Sequence, residues 1–304
     1  NLDRMETWYR MARANGADLT VFPECTVAGY CFVNLGEARP YGQNVPGPAT
    51  KRMQKICSDV GGFAVFGLLE IAPHDGLFNS AVIVGPNGVL EGASKGSVVI
   101  DMSSIAPSTS QKIAHACEER GVDFLDAPVS GGEPKAIDGT LAIMVGGKNE
   151  VFKRYHGLWE VLGGSVVLCG DYGAGNTTKL ANQIVVAANI EAVGEALVLA
   201  KKAGLDPQVV FEAIRGGLAG STVMEAKGPM MIAGDFKPGF RIRLHQKDLH
   251  NALITGKELG VPLPVTSLIQ QMLGALINDG KADADHSAIA NFIENMAHVT
   301  ISGK

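Results

Sequence analysis

Apolar positions recur with a helical period at the start of the chain, where Leu2, Met5, Trp8, Tyr9 and Ala12 share one face and Gly16 follows as a stop. This predicts an amphipathic helix over 2–15. The period then shortens. Leu19-Thr20-Val21-Phe22 is brief, apolar and rich in β-formers, so it predicts a buried strand, and Pro23-Glu24 sets a carboxylate at its C-terminal end. A second helix is expected over 49–60, and strands over Phe63–Leu69 and Ser80–Val84, the latter closed by the turn Pro86-Asn87-Gly88. Residues 97–101 predict another buried strand, 108–120 an amphipathic helix, and 123–127 and 141–145 two further strands. From 176 the period becomes helical, opening with one long helix over 176–202. No internal repeat or low-complexity linker interrupts the chain.

Composition narrows what such a chain does. At 304 residues about two domains are expected, and 46% hydrophobic with 19% charged residues is a core-forming balance. A formal net charge of −5 leaves no basic surplus to neutralise phosphates, which argues against nucleic acid as a partner. No unbroken apolar run reaches the roughly 18 residues that span a bilayer, and Asn1-Leu2-Asp3-Arg4 is not a basic region leading into an apolar one. A cytoplasmic location without membrane contact is the expectation. Cysteines at 25, 31, 57, 117 and 169 form no Cys-x-x-Cys pair, and His245, His250 and His286 share no metal-ligand spacing, so neither a disulfide framework nor a metal site is expected.

Two stretches carry a resemblance to known families, and they are different families. Gly16-Ala17-Asp18-Leu19-Thr20-Val21-Phe22-Pro23-Glu24, then Ala28-Gly29-Tyr30 and the later Asn79-Ser80-Ala81-Val82-Ile83-Val84-Gly85-Pro86-Asn87-Gly88, resemble the nitrilase, or carbon-nitrogen hydrolase, superfamily. The resemblance implies that Glu24 is the general base of a Glu-Lys-Cys triad. The lysine and cysteine of that triad do not follow, and Cys25 and Cys31 belong to the glutamate's own loop. A lone carboxylate cannot activate a thiol that is not there.

From about residue 88 onward the chain resembles the 3-hydroxyacid dehydrogenase family. The match is carried by Ile100-Asp101-Met102-Ser103-Ser104-Ile105-Ala106-Pro107, by 126–140 with Asp126-Ala127-Pro128-Val129-Ser130-Gly131-Gly132, by 173–183, by 214–223 and by 236–251, over roughly 215 residues. It implies an NAD(P)-dependent oxidoreductase acting on tartronate semialdehyde or a related 3-hydroxy acid. The implied fold is an α/β N-terminal part of mixed ancestry, a nitrilase-like fragment plus the second half of a Rossmann-type sheet, followed by an all-α C-terminal domain. The expected divisions are 1–88, 89–174 and 175–304.

The residues themselves suit that chemistry. Reducing an aldehyde places a hydride on carbon while negative charge grows on oxygen, so a positioned proton donor is needed. Lys179 is the candidate, expected in the first turn of the long helix, where the dipole eases proton release. Asn182 lies three residues on along the same face. Ser130, Gly131 and Gly132 offer a hydroxyl and closely approachable backbone N–H groups for a substrate carboxylate. The resemblance gives these positions those roles, and adds Ser104 near the nicotinamide and Lys247 of Lys247-Asp248-Leu249, with Asp248 beside it, on the cofactor. Ser221 is expected on the substrate side.

One element of such an enzyme is missing from the sequence. A dinucleotide fold holds pyrophosphate at its first strand-turn-helix, and residues 1–88 contain no Gly-x-Gly-x-x-Gly after a strand. Gly170, Gly173 and Gly175 follow the apolar run 166–169, but as Gly-x-x-Gly-x-Gly, the reverse spacing, with no acidic residue ending a second strand some twenty residues on. Entry into the long helix is the job expected of them. The expectation is therefore an NAD or NADP reductase impaired in cofactor binding, with a small carboxylate substrate and a homo-oligomer formed through the helical domain. A carbon-nitrogen hydrolase fragment with an incomplete triad and a non-enzymatic fusion are the alternatives.

Overall fold

A computed structural model of the chain describes residues 2–16, 19–21, 47–61, 63–65, 68–71, 77–80 and 88–303. They form two compact units, one of 1–97 with 120–122 and one of 98–119 with 123–304.

In the first unit, α1 (Leu2–Ala14) and α2 (Pro48–Val60) bury Met5, Tyr9, Met53 and Ile56 against one another. Burying each such side chain contributes roughly 1.5–3 kcal/mol. The Tyr9 hydroxyl donates to Gly61 O at 2.8 Å, so the polar end of this buried ring is satisfied. Pro48 opens α2 at the first helical position, where its missing N–H costs nothing. The single strand expected over 63–69 is two: β2 (Phe63–Val65), parallel to β1 (Leu19–Val21), and β3 (Leu68–Ile71), antiparallel to β4 (Leu77–Ser80). The strand expected at 80–84 thus starts earlier, because Leu68 to Ile71 pair with Ser80 back to Leu77; 81–84 lie outside the described residues. The short helix α3 (Val89–Gly92) closes this unit, with Arg120 donating to Leu90 O at 2.9 Å.

The second unit begins with β5 (Val98–Asp101), parallel to β6 (Asp123–Asp126), with α4 (Pro107–Glu119) as the crossover. β7 (Val129–Ser130) and α5 (Gly132–Ile137) lead to β8 (Leu141–Gly147), antiparallel to both β6 and β7. Then α6 (Asn149–Arg154) and α7 (His156–Leu162) return the chain to β9 (Gly163–Gly170), parallel to β8. Leu125, Ala127, Ile143, Val145, Val151 and Trp159 form the core of this layer. Among the described residues β5 pairs with β6 alone.

From β9 the chain enters α8 (Ala174–Lys202), around which α9 (Pro207–Arg215), α10 (Thr222–Ala233), α11 (Ile242–Leu259), α12 (Pro264–Asn278), a 3-10 turn (His286–Ile289) and α13 (Ala290–Ala297) pack. α8 is the one described helix long and apolar enough to cross a membrane by length and composition, which a search for an unbroken apolar run passes over. Here it is a core helix: Ala187, Ile190, Leu197 and Val198 are buried against Phe211, Met224, Leu249, Leu273 and Ile289. A helix that is apolar nearly all round needs partners on several faces, and the sheet and the surrounding helices supply them. Gly228 lies under the Phe211 ring, where a Cβ would stand 2.6 Å from Cε2.

Asp285 locks the far end of this bundle. Its carboxylate, fully buried, accepts from Lys227 Nζ (2.9 Å to both oxygens), Gly239 N (2.9 Å), Phe240 N (3.1 Å), Ser287 N (3.0 Å) and Ser287 Oγ (2.7 Å). It caps the 3-10 turn that carries His286.

Candidate active site

The start of α8 is built into the sheet. Gly173 turns the chain with φ of +86°, a left-handed conformation that glycine adopts without strain. Gly175 lies so close to β6 and β8 that a Cβ would meet Met144 O and stand 2.5 Å from Asp126 O. Asp126, fully buried at the end of β6, accepts from Gly173 N and Asn176 N, both at 2.8 Å. Burial pushes its carboxyl pKa up, against the pull of those hydrogen bonds and with a smaller push from Asp101. A carboxylate of the chain itself therefore fills the helix N-terminus that the glycines could have offered to a phosphate.

Asn176 fixes the loop after β5. Its Oδ1 accepts from Ile105 N at 3.0 Å and its Nδ2 donates to Ser110 Oγ at 2.9 Å. That holds Ser104 beside α11, where its carbonyl accepts from Lys247 Nζ at 2.7 Å.

Lys179 is only 6% exposed. Because α8 starts at Ala174, not 176, the lysine sits in the second turn instead of the first. Burial is the main force on its proton affinity. Desolvation lowers its pKa; the charge of Asp248 raises it in part, and that of Lys247 lowers it further. Lys179 Nζ donates to Gln183 Oε1 at 3.0 Å, and Asn182 Nδ2 donates to the same oxygen at 2.9 Å. Gln183 Nε2 in turn donates to Asp248 Oδ2 at 2.7 Å. With donors on one side and a carboxylate on the other, only one orientation of the amide satisfies all three contacts. Lys247 Nζ stands 3.0 Å from Asp248 Oδ1 as an ion pair, but off the line of a hydrogen bond, and that buried oxygen has no other donor.

Behind this group lie two buried histidines. His245 Nε2 is 3.2 Å from Gln183 O, and a carbonyl only accepts, so Nε2 carries the hydrogen. His245 Nδ1 then accepts from His286 Nδ1 at 2.8 Å, which leaves His286 Nε2 with a buried lone pair and no partner. Burial lowers both pKa values and keeps both rings neutral, as this chain of donors requires. Among the described residues no three His, Cys, Asp or Glu side chains converge as a metal ion would need.

The structure thus brings together Lys179, Asn182, Ser104, Lys247 and Asp248, with Asp248 turned inward behind the lysine. Ser130 ends β7, and Gly131 and Gly132, with φ of +137° and +68°, open α5. Ser221 Oγ caps α10 by accepting from Met224 N at 3.0 Å. Among the described residues no hydrogen bond joins these four to the Lys179 group. Glu24 lies outside the described residues. Sequence reasoning missed Gln183, His245, Asn176 and Asp126. Gln183 was findable, being four residues from Lys179 on the same face of one helix, as was His245, three before Asp248. Asp126 and Asn176 act across long stretches of chain and left no local signal.

Comparison with known proteins agrees with this layout. Residues 173–293 match the family described as NAD-binding of NADP-dependent 3-hydroxyisobutyrate dehydrogenase, and 75–170 the NAD binding domain of 6-phosphogluconate dehydrogenase. Residues 1–109 match the carbon-nitrogen hydrolase family. The 2-hydroxy-3-oxopropionate reductase of Escherichia coli (strain K12) is 48% identical over 217 residues, 71% of this chain and 74% of that protein. The 2-(hydroxymethyl)glutarate dehydrogenase of Eubacterium barkeri is 40% identical over 76% of this chain and 77% of its own length. Among solved structures, Mycobacterium tuberculosis 3-hydroxyisobutyrate dehydrogenase with L-serine superposes with a TM-score of 0.63 at 29% identity, covering 80% of this chain and 76% of that one. A half Rossmann-like sheet leading into a helical domain, with a buried lysine at their junction and relatives of this identity and coverage, places the chain in the 3-hydroxyacid dehydrogenase family of NAD(P)-dependent reductases.

Proposed function

We propose that the chain reduces tartronate semialdehyde or a closely related 3-hydroxy acid precursor, with its hold on the cofactor weakened. The observation that carries this reading is the buried Lys179 amine, its pKa lowered and its Nζ fixed by Gln183 beside Lys247 and Ser104. The relatives' names and the L-serine of the Mycobacterium structure share a carboxylate with an oxygen function on carbon 3, which is the chemistry Ser130, Gly131 and Gly132 suit.

NADH or NADPH, the reduced cofactor of the family, would when bound supply the hydride for the carbonyl carbon and leave as the oxidised nucleotide. The nicotinamide end has fitting residues here: the Ser104 loop held by Asn176, and Lys247, half-exposed beside it. The pyrophosphate end has no Gly-x-Gly-x-x-Gly in residues 1–88. Lys179 Nζ gives its proton to the carbonyl oxygen as charge develops there, which desolvation favours by weakening the ammonium's hold. Asn182 donates to the substrate hydroxyl, and Ser130 Oγ with the N–H groups of Gly131 and Gly132 receives the carboxylate. The hydrolase-like segment contributes Glu24 without a lysine or cysteine to complete a triad, so no hydrolysis is assigned to it.

Calorimetric titration of the folded 304-residue protein with NADH and NADPH, against the full-length Escherichia coli relative, tests the reading. Saturable but weaker binding, with semialdehyde reduction that Lys179→Met abolishes, is expected. A folded sample that binds neither nucleotide overturns it.

A further inference from the structure

The polar groups at Lys179 form a single file that runs out of the helical domain onto the sheet: Lys179 Nζ, the Gln183 amide, the Asp248 carboxylate, Lys247 Nζ and Ser104 O. Two of its features exceed what a structural tie needs. Gln183 keeps Lys179 and Asp248 one amide apart, whereas direct contact would pin the lysine as an ammonium. And Asp248 Oδ1, buried and without a hydrogen-bond donor, is closed only by an ion pair to a lysine whose side chain is 48% exposed. Every other member of the file from Lys179 to Asp248 is buried. Lys247 is therefore the part that an anionic ligand arriving at the Ser104 loop can draw away.

We propose that Lys247 is a positioning residue that, by lying on Asp248 and Ser104 or leaving them, sets through Gln183 how firmly Lys179 holds its proton. The proposal rests on Lys179 being the acid. With Lys247 in place, its charge repels that of Lys179 and also neutralises Asp248. With Lys247 drawn toward an anion, the repulsion falls and Asp248 acts on Lys179 through the amide undiminished. Both changes strengthen the hold of Lys179 on its proton, so the acid is charged when the neighbouring site fills. The other titratable groups around the start of α8 do not compete for this role. His245 on α11 and His286 on the 3-10 turn, which feel the charge of Lys179, are kept neutral by burial, Asp126 on β6 is turned to Gly173 N and Asn176 N, and Asp101 on β5 accepts from Ser103 N at 3.0 Å.

The test is to titrate Lys179 itself in the complete chain by carbon-13 NMR of labelled lysine side chains, with Lys179→Arg assigning the resonance. Lys247→Met keeps most of the stem and removes the charge, and should raise the midpoint of Lys179 by about half a pH unit or more. Lys247→Gln should do the same, which guards against a folding defect in one variant. Asp248→Asn should lower the midpoint. A Lys179 midpoint that stays put or falls in both Lys247 variants overturns the proposal. Loss or retention of semialdehyde reduction in Lys179→Met bears on the acid assignment alone, so the two readings fail separately.

Discussion

Asp285→Ala is expected to destabilise the second unit severely and to remove a particular part of its acid response. In the native fold the carboxylate serves five donors, and truncation leaves Lys227, its side chain 16% exposed, without a counter-charge and strands Gly239 N, Phe240 N and Ser287 N. Removing one partner of a buried ion pair costs about 3–5 kcal/mol. Orphaned backbone N–H groups add about 1–3 kcal/mol each where water cannot reach them. A loss of at least about 4 kcal/mol follows, measured by urea unfolding with far-UV circular dichroism. Burial alone would raise the Asp285 carboxyl, but the Lys227 ammonium and the hydrogen bonds from Ser287 outweigh it and hold the pKa below the usual carboxylate range. Because the folded pKa lies below the unfolded one, the linked stabilisation is fully present above the ordinary carboxylate pKa of about 4 and is lost as pH falls through the lower folded value. The variant should lack that slope. It should also exchange the amide hydrogens of Phe240 and Ser287 faster, and loosen His286 and with it His245. A loss below about 1 kcal/mol, or an unchanged acid slope in the variant, would refute the reasoning.

Semialdehyde reduction should slow as pH rises through the pKa of Lys179, at a pH below that of an ordinary lysine, because burial lowers it and the acid works only while protonated; a pH-independent rate up to about pH 10 contradicts the assignment. Lys179→Met should raise the unfolding free energy near neutral pH, since a folded pKa lowered below the unfolded one penalises the charged folded state; that gain should shrink as pH rises, and urea unfolding at several pH values checks it. Gly175→Ala should cost about 3 kcal/mol, because its Cβ forces α8 off the backbone of Asp126 and Met144, and an unchanged melting temperature would show that the helix start has slack. Asn176→Ala frees Ile105 N and Ser110 Oγ, and should weaken NADPH binding through the loosened Ser104 loop as well as cost about 2 kcal/mol; calorimetry giving an unaltered affinity would show that the loop is held by other means.

Much of this molecule is legible along the chain. The apolar period of Leu2 to Ala12 marks α1, the β-rich run ending at Asp101 marks β5, and the long helical stretch from 176 marks α8 to within two residues, since local periodicity reflects which face each element must bury. The stretches around Ser104, Lys179 and Lys247 carry the family resemblance because they match in residue type as well as in pattern. Other features were decided only by tertiary structure. That the first turn of α8 is occupied by Asp126, fifty residues earlier, depends on β6 ending where α8 begins, which no local window contains. The state of Lys179 is set by its burial and by a glutamine, an aspartate and a second lysine drawn from two helices, and spacing cannot say how much water they exclude. The neutral pairing of His245 with His286 is likewise invisible in a sequence where forty-one positions separate them, because a desolvation penalty belongs to a packed interior and not to the residue. Sequence determined which elements form and which chemistry they carry; packing decided which groups meet, at what distance and in what protonation state, because those depend on the solvent that the whole fold removes.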